Sequence, residues 1–223
     1  MTKTIQTIYN KLLSYYGKQH WWPAETIFEV VIGAILTQNT AWTNVEKSIK
    51  NLKEKKILTP EAFYNLSIKK LEIYIKPSGF YRIKAHRIKS FINFFKNYNF
   101  DFETLKKENG LREKLLSIKG IGPETADSIL LYALDMPYFV IDSYTKRIFF
   151  RLGLIEKENV DYHELQNLIH KYLKPEIEIY KEYHALIVEH AKKHCKKNIT
   201  VCISCPLKNK CNFSKKRDAY EKQ

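Results

Sequence analysis

The sequence predicts an all-α fold, with 223 residues making one large domain or two small ones. Three observations lead there. Glycine and proline number only seven each in 223 residues, so chain breakers are sparse. No sustained apolar–polar alternation marks a strand. Apolar residues make up 44% of the chain, enough to build a core.

The elements follow in chain order. Thr26 to Leu36 is a strongly apolar run and reads as a buried helix despite its β-branched residues. Thr59-Pro60 has the form of an N-cap followed by proline at the first helical position. Pro77-Ser78-Gly79 marks a turn, with a helix expected from about Arg82. Leu116 to Ala126 links two helical segments through Lys119-Gly120-Ile121-Gly122-Pro123. Phe139-Val140-Ile141 leads into Asp142-Ser143-Tyr144, where a helix starts. Asp161-x-x-Glu164 has capping-box spacing. His184, His190 and His194 run along a helix that ends at Cys195, and their spacing does not put all three on one face. They are expected to pack near the cysteines or to meet phosphate.

Thirty-eight Lys and Arg against 24 Asp and Glu give a net charge of +14. Such a surface attracts polyanions, nucleic acid first. Residues 190–223 hold ten basic residues against two acidic ones, and a solvated basic tail would account for that equally well. No run of about 18 apolar residues is present to span a membrane. The N-terminal stretch lacks the apolar core of a signal peptide, so the chain is expected in the cytoplasm.

The four cysteines, Cys195, Cys202, Cys205 and Cys211, fall within 17 residues as C-x6-C-x2-C-x5-C. In a reducing compartment that pattern points to a soft metal centre rather than disulfides. Zinc and a [4Fe–4S] cluster both take four thiolates, and the spacing leaves the choice open.

The glycines of the central motif permit a tight turn with exposed amides, and Pro123 suits the first position of the helix that follows. Amides at a helix start form an anion site, the means by which a helix–hairpin–helix holds a DNA phosphate without reading sequence. An ordinary helix connection would share the G-x-G. Eighteen residues beyond Glu124, Asp142 stands at a helix start. An N-cap and a catalytic carboxylate are compatible there, because capping holds the side chain rigid.

The hairpin, Asp142 and the cysteine spacing together resemble the endonuclease III branch of the helix–hairpin–helix DNA glycosylases, over nearly the whole chain. Leu36-Thr37-Gln38-Asn39-Thr40 and Gly79-Phe80-Tyr81 fit the same order. The resemblance implies a [4Fe–4S] cluster on Cys195, Cys202, Cys205 and Cys211. It implies a six-helix barrel over 27–135 with the hairpin at about 115–135. A second domain would comprise 1–26 and 136–223, carry the cluster loop 195–211, and leave the active site in the cleft between. Asp142 would be the catalytic carboxylate. Lys119, Gly120 and Gly122 would bind DNA, Gln38 would fill the gap left by a flipped nucleotide, and Phe80 would be the wedge.

One departure matters. Bifunctional members carry a lysine where this chain has Glu124, and a carboxylate forms no Schiff base. Strand cleavage is therefore expected to be weak or absent. Trp21-Trp22-Pro23, Gln38-Asn39-Thr40, Gly79-Phe80-Tyr81 and the glutamate in the hairpin are similar to the 3-methyladenine DNA glycosylase III type. That likeness implies a base pocket of Trp21 and Trp42, closed by Trp22 and Pro23 and touched by Glu124. The expected protein is a monomeric, monofunctional glycosylase that removes alkylated purines from damaged double-stranded DNA. A glycosylase for an oxidised, deaminated or mismatched base, or a non-catalytic DNA-binding protein of the same fold, are the alternatives.

Overall fold

The computed structural model describes residues 2–220, with side chains described for 4–216; the end of the basic tail falls outside these. The described residues are helical apart from turns, extended links and one isolated bridge between Cys195 and Thr200. The chain divides into two compact units, one of Met1–Trp21 with Pro137–Gln223, the other of Trp22–Met136. Trp21 and Trp22 thus belong to different units.

Helix α1 is Thr2–Tyr16. The continuous unit then holds α2 (Ile27–Leu36), α3 (Trp42–Glu54), α4 (Pro60–Asn65), α5 (Ile68–Tyr74), α6 (Tyr81–Lys96), α7 (Phe102–Lys106), α8 (Leu111–Ser117) and α9 (Pro123–Ser128), the last running on as a π-turn over Ile129–Ala133. Its core is α2, buried from Phe28 through Leu36. A fully buried Val, Leu or Ile stabilises by about 1.5–3 kcal/mol, so this one helix anchors the unit. Thr26 caps it by accepting from the Glu29 amide at 3.1 Å. Gly33 leaves room for an indole, because a Cβ there would lie 3.2 Å from two ring atoms of Trp22.

Lys84 of α6 is buried, and its Nζ donates to Leu36 O at 2.7 Å and Ser78 O at 2.6 Å. It therefore closes the end of α2 and fixes the turn before Phe80. Burial, aided by Arg87, lowers its pKa to about 8.

The other unit is built from α1 with α10 (Ser143–Leu152), α11 (Tyr162–Tyr172), α12 (Ile177–Lys193) and α13 (Asn212–Tyr220). Helices α1 and α10 both pack on α12. The buried extended run Phe139-Val140-Ile141 has no strand beside it among the described residues. Side chains of α11 satisfy its backbone instead. Gln166 Nε2 donates to Phe139 O at 2.8 Å, His170 Nε2 accepts from the Phe139 amide at 3.1 Å, and the Tyr162 hydroxyl accepts from the Ile141 amide at 3.3 Å. This support delivers Asp142 to the start of α10.

Candidate active site and cluster loop

Asp142 caps α10. Its Oδ1 accepts from the Thr145 amide at 2.7 Å and the Thr145 hydroxyl at 2.8 Å. Its Oδ2 lies 3.5 Å from His184 Nε2. Burial would raise the carboxyl pKa, but His184 and the two Thr145 donors outweigh it and hold it below the usual carboxylate range. The group is thus a rigid carboxylate kept ionised while only 9% exposed. Sequence spacing pointed His184 toward the cysteines or phosphate. Its position corrects that reading: it faces Asp142, and its ring stacks on Trp21 with centroids 5.5 Å apart.

In the other unit, Trp22, Pro23 and Trp42 line a cavity of about 330 Å³ together with Glu29, Glu46 and Ile49. Trp22 and Trp42 meet edge to face, 5.3 Å between centroids. The Trp42 indole N–H donates to Glu46 at 2.8 Å. Glu29 and Glu25 share Lys53 at 2.9 Å each, and Lys50 pairs with Glu54 at 3.9 Å. The cavity therefore gathers three of the five residues assigned to the base pocket. Of the other two, Trp21 stacks in the other unit, and Glu124 is an exposed residue on the first turn of α9. Glu46 was missed by sequence reasoning. Its only signal was its place one helical turn beyond Trp42.

Gln38 sits against the hairpin, its Nε2 donating to Gly120 O at 3.1 Å and Thr125 Oγ1 at 2.9 Å. Arg87 donates to its Oε1. The two hairpin glycines differ. Gly120 has φ +91, and a Cβ there would lie 2.3 Å from Arg87 Cγ. Gly122 has φ −92 and open space where a side chain would stand. Lys119 is exposed beside them. Across α8 and α9, Arg112 holds the buried Asp127 through two bonds of 2.7 and 3.0 Å. Phe80 occupies the left-handed region at φ +46 and is 66% exposed. Its ring is thus held out to solvent on a left-handed backbone.

These features, a carboxylate capping α10 and a glycine hairpin with Gln38 upon it, accompany a match to the HhH-GPD superfamily model of base excision DNA repair proteins over residues 32–175. The chain belongs to that superfamily. It is similar to a candidate DNA repair glycosylase of Methanocaldococcus jannaschii, 53% identical over 93% of this chain and 95% of that one. A 3-methyladenine DNA glycosylase of H. pylori, solved with 1,N6-ethenoadenine, is 34% identical with a TM-score of 0.72, covering 86% of this chain and 95% of that one. An endonuclease III–DNA complex shares the fold at a TM-score of 0.85 and 24% identity, covering 98% and 99%. This HhH-GPD protein is a DNA glycosylase of the base excision repair type with the endonuclease III fold.

Its four cysteines line one cavity, walled by Ile148, Leu152 and Leu207. Arg151 Nη1 donates to Cys195 Sγ at 3.2 Å. Cys205 Sγ lies 3.7 Å from His190 Nε2, and His190 Nδ1 meets the Tyr16 hydroxyl at 2.9 Å. Burial pushes the Cys205 thiol up to about 11. Burial raises the Cys211 thiol as well. Among the described residues, no three His, Cys, Asp or Glu side chains converge as on a single ion.

Proposed function

We propose that this protein is a monomeric, monofunctional glycosylase that hydrolyses the N-glycosidic bond of alkylated purines of the 3-methyladenine and 7-methylguanine type in double-stranded DNA. The observation that carries this reading is the cavity of Trp22, Pro23 and Trp42 with the Glu46 carboxylate in its wall. N3- and N7-alkylated purines are cationic, and their glycosidic bonds are already weakened. Such a base needs flipping and holding more than it needs a strong acid. Aromatic faces contribute about 1–3 kcal/mol per stacked base, and cation–π attraction adds about 0.5–2 kcal/mol. The named activity of the 34% identical H. pylori relative supports the same substrate class.

Asp142 stabilises the sugar cation by fixed negative charge, since its Thr145 bonds leave it little freedom to reorganise. Gln38 and Phe80 act on the stack, and Lys119 with the Gly120 and Gly122 amides holds phosphate. Glu124 supplies no amine, so the reaction ends at an abasic site.

Cys195, Cys202, Cys205 and Cys211 would hold a [4Fe–4S] cluster. The donor set fits: four thiols line one cavity, and four thiolates are what such a cluster takes. The cluster's contribution is structural, tying the loop to α10 and α12. The purified protein should carry about four irons per chain and show broad visible absorption; zinc alone would overturn this assignment.

The test is chromatography of bases released from methylated duplex DNA, with undamaged DNA beside it. Free 3-methyladenine or 7-methylguanine with the strand unbroken is expected. No methylated base released by cluster-loaded protein would overturn the substrate and turn attention to deaminated, oxidised or mismatched bases.

A further inference from the structure

Asp142, His184 and Trp21 stand in series within one unit. Thr145 engages only Oδ1 of the carboxylate. The second oxygen, Oδ2, faces His184 Nε2 at 3.5 Å. The opposite side of the arrangement is Trp21, whose ring lies 19° from parallel to the imidazole. Asp142 and His184 are 9% and 5% exposed, so water does little to screen the pair. Phe139 packs edge-on against the imidazole at 6.4 Å. Three separate elements thus define the imidazole's position: α12 carries it, the segment after α1 stacks on it, and the run before α10 borders it.

Several titratable groups on the neighbouring elements have partners of their own. Lys146 Nζ donates to Val160 O at 2.6 Å, and Arg147 Nε donates to Cys195 O at 2.9 Å. His170 of α11 accepts from the Phe139 amide.

We infer that His184 is a positioning residue for Asp142: its Nε2 holds the second carboxylate oxygen in place, and Trp21 fixes the imidazole in turn. A buried carboxylate whose second oxygen had no polar neighbour would be drawn toward its neutral form. Neutral, it could not stabilise a sugar cation. The stacked indole fixes the plane of the imidazole. Trp21 therefore acts on the carboxylate through His184. The catalytic part of this inference rests on the proposed glycosylase activity.

Two measurements on the intact protein separate the two. The first needs no substrate: the pH titration of the Asp142 carboxyl, followed by carbon NMR in wild type, His184→Ala and His184→Gln. Asp142 should titrate higher in His184→Ala, by about one pH unit or more. Glutamine places an amide N–H where Nε2 stood, so His184→Gln should restore part of the lowering. The second is single-turnover base release beside affinity for DNA containing an abasic analogue. His184→Ala should slow release by about 10- to 100-fold with affinity changed less than about threefold, and His184→Gln should recover part of the rate. The acid limb of the pH–rate profile should move up with the carboxyl titration. An Asp142 titration unchanged in both variants would overturn the inference, as would rate losses that merely track lost DNA affinity. Should His184→Ala fail to fold, His184→Gln alone decides through the same two readouts. A wild type that releases no base would sink the proposed activity, while the NMR titration would still decide the role of His184.

Discussion

Arg87 holds Gln38 on the hairpin. The guanidinium donates to Gln38 Oε1 while the amide nitrogen donates to Gly120 O and Thr125 Oγ1, so the side chain is oriented at both ends. Arg87→Ala should leave that orientation unset. Excision from a paired lesion should fall about tenfold, with a smaller deficit when the lesion is already unpaired, because less unstacking is then required. Equal losses on paired and unpaired substrates would contradict a role in filling the gap.

The hairpin glycines should respond differently to alanine. At Gly120 the added Cβ meets Arg87 and the backbone sits at φ +91, so Gly120→Ala should lower stability by about 1–3 kcal/mol in chemical denaturation. At Gly122 the space is open and φ is ordinary, so stability should hold within about 0.5 kcal/mol. DNA affinity should nonetheless weaken in Gly122→Ala if phosphate approaches its amide. Unchanged affinity would remove Gly122 from the interface.

Glu46 should set a charge preference. Its carboxylate is bonded by a neutral indole N–H, whereas its acidic neighbours Glu29 and Glu54 pair with lysines. Glu46→Gln keeps an acceptor for Trp42 and removes the charge. Release of cationic 7-methylguanine should fall by about 5- to 30-fold relative to a neutral damaged purine, the effect of about 1–2 kcal/mol. A parallel fall for both substrates would mean that Glu46 only braces Trp42.

Glu124 should leave the protein without Schiff-base chemistry. Borohydride treatment with abasic DNA should trap no covalent adduct with the wild type. An efficient adduct would show that another amine, such as Lys119, does the work.

Lys84 should make stability depend on alkaline pH. Its folded value of about 8 lies below the ordinary 10.5, so between those values the unfolded chain binds the extra proton. Stability from this group therefore rises as pH increases across that window, while the neutral amine still donates to Leu36 O and Ser78 O. Unfolding in denaturant at pH 7 and pH 10 should show wild type gaining relative to Lys84→Met. A constant gap would mean that Lys84 is not depressed.

Much of this molecule is local and was legible without coordinates. Thr59 and Asp161 cap helices because their oxygens reach amides two or three residues ahead. Asp142 does the same, and its rigidity follows from that short reach. The all-helical fold and the hairpin came from the same kind of signal. The cysteine spacing singled out one loop, and those four side chains do line one cavity.

The sequence by itself determined the helices, their caps, the hairpin and the cysteine loop, because each depends on residues a few positions apart. Only the tertiary structure decided which partners those pieces meet. It sent the adjacent Trp21 and Trp22 to different units, one onto His184 and the other beside Trp42. It buried Lys84 beneath two turns and brought His184 to the oxygen of Asp142 that Thr145 leaves over. Spacing along the chain sets which face of a helix a residue occupies. What that face packs against is set by the burial of the whole core, and no local pattern carries that information.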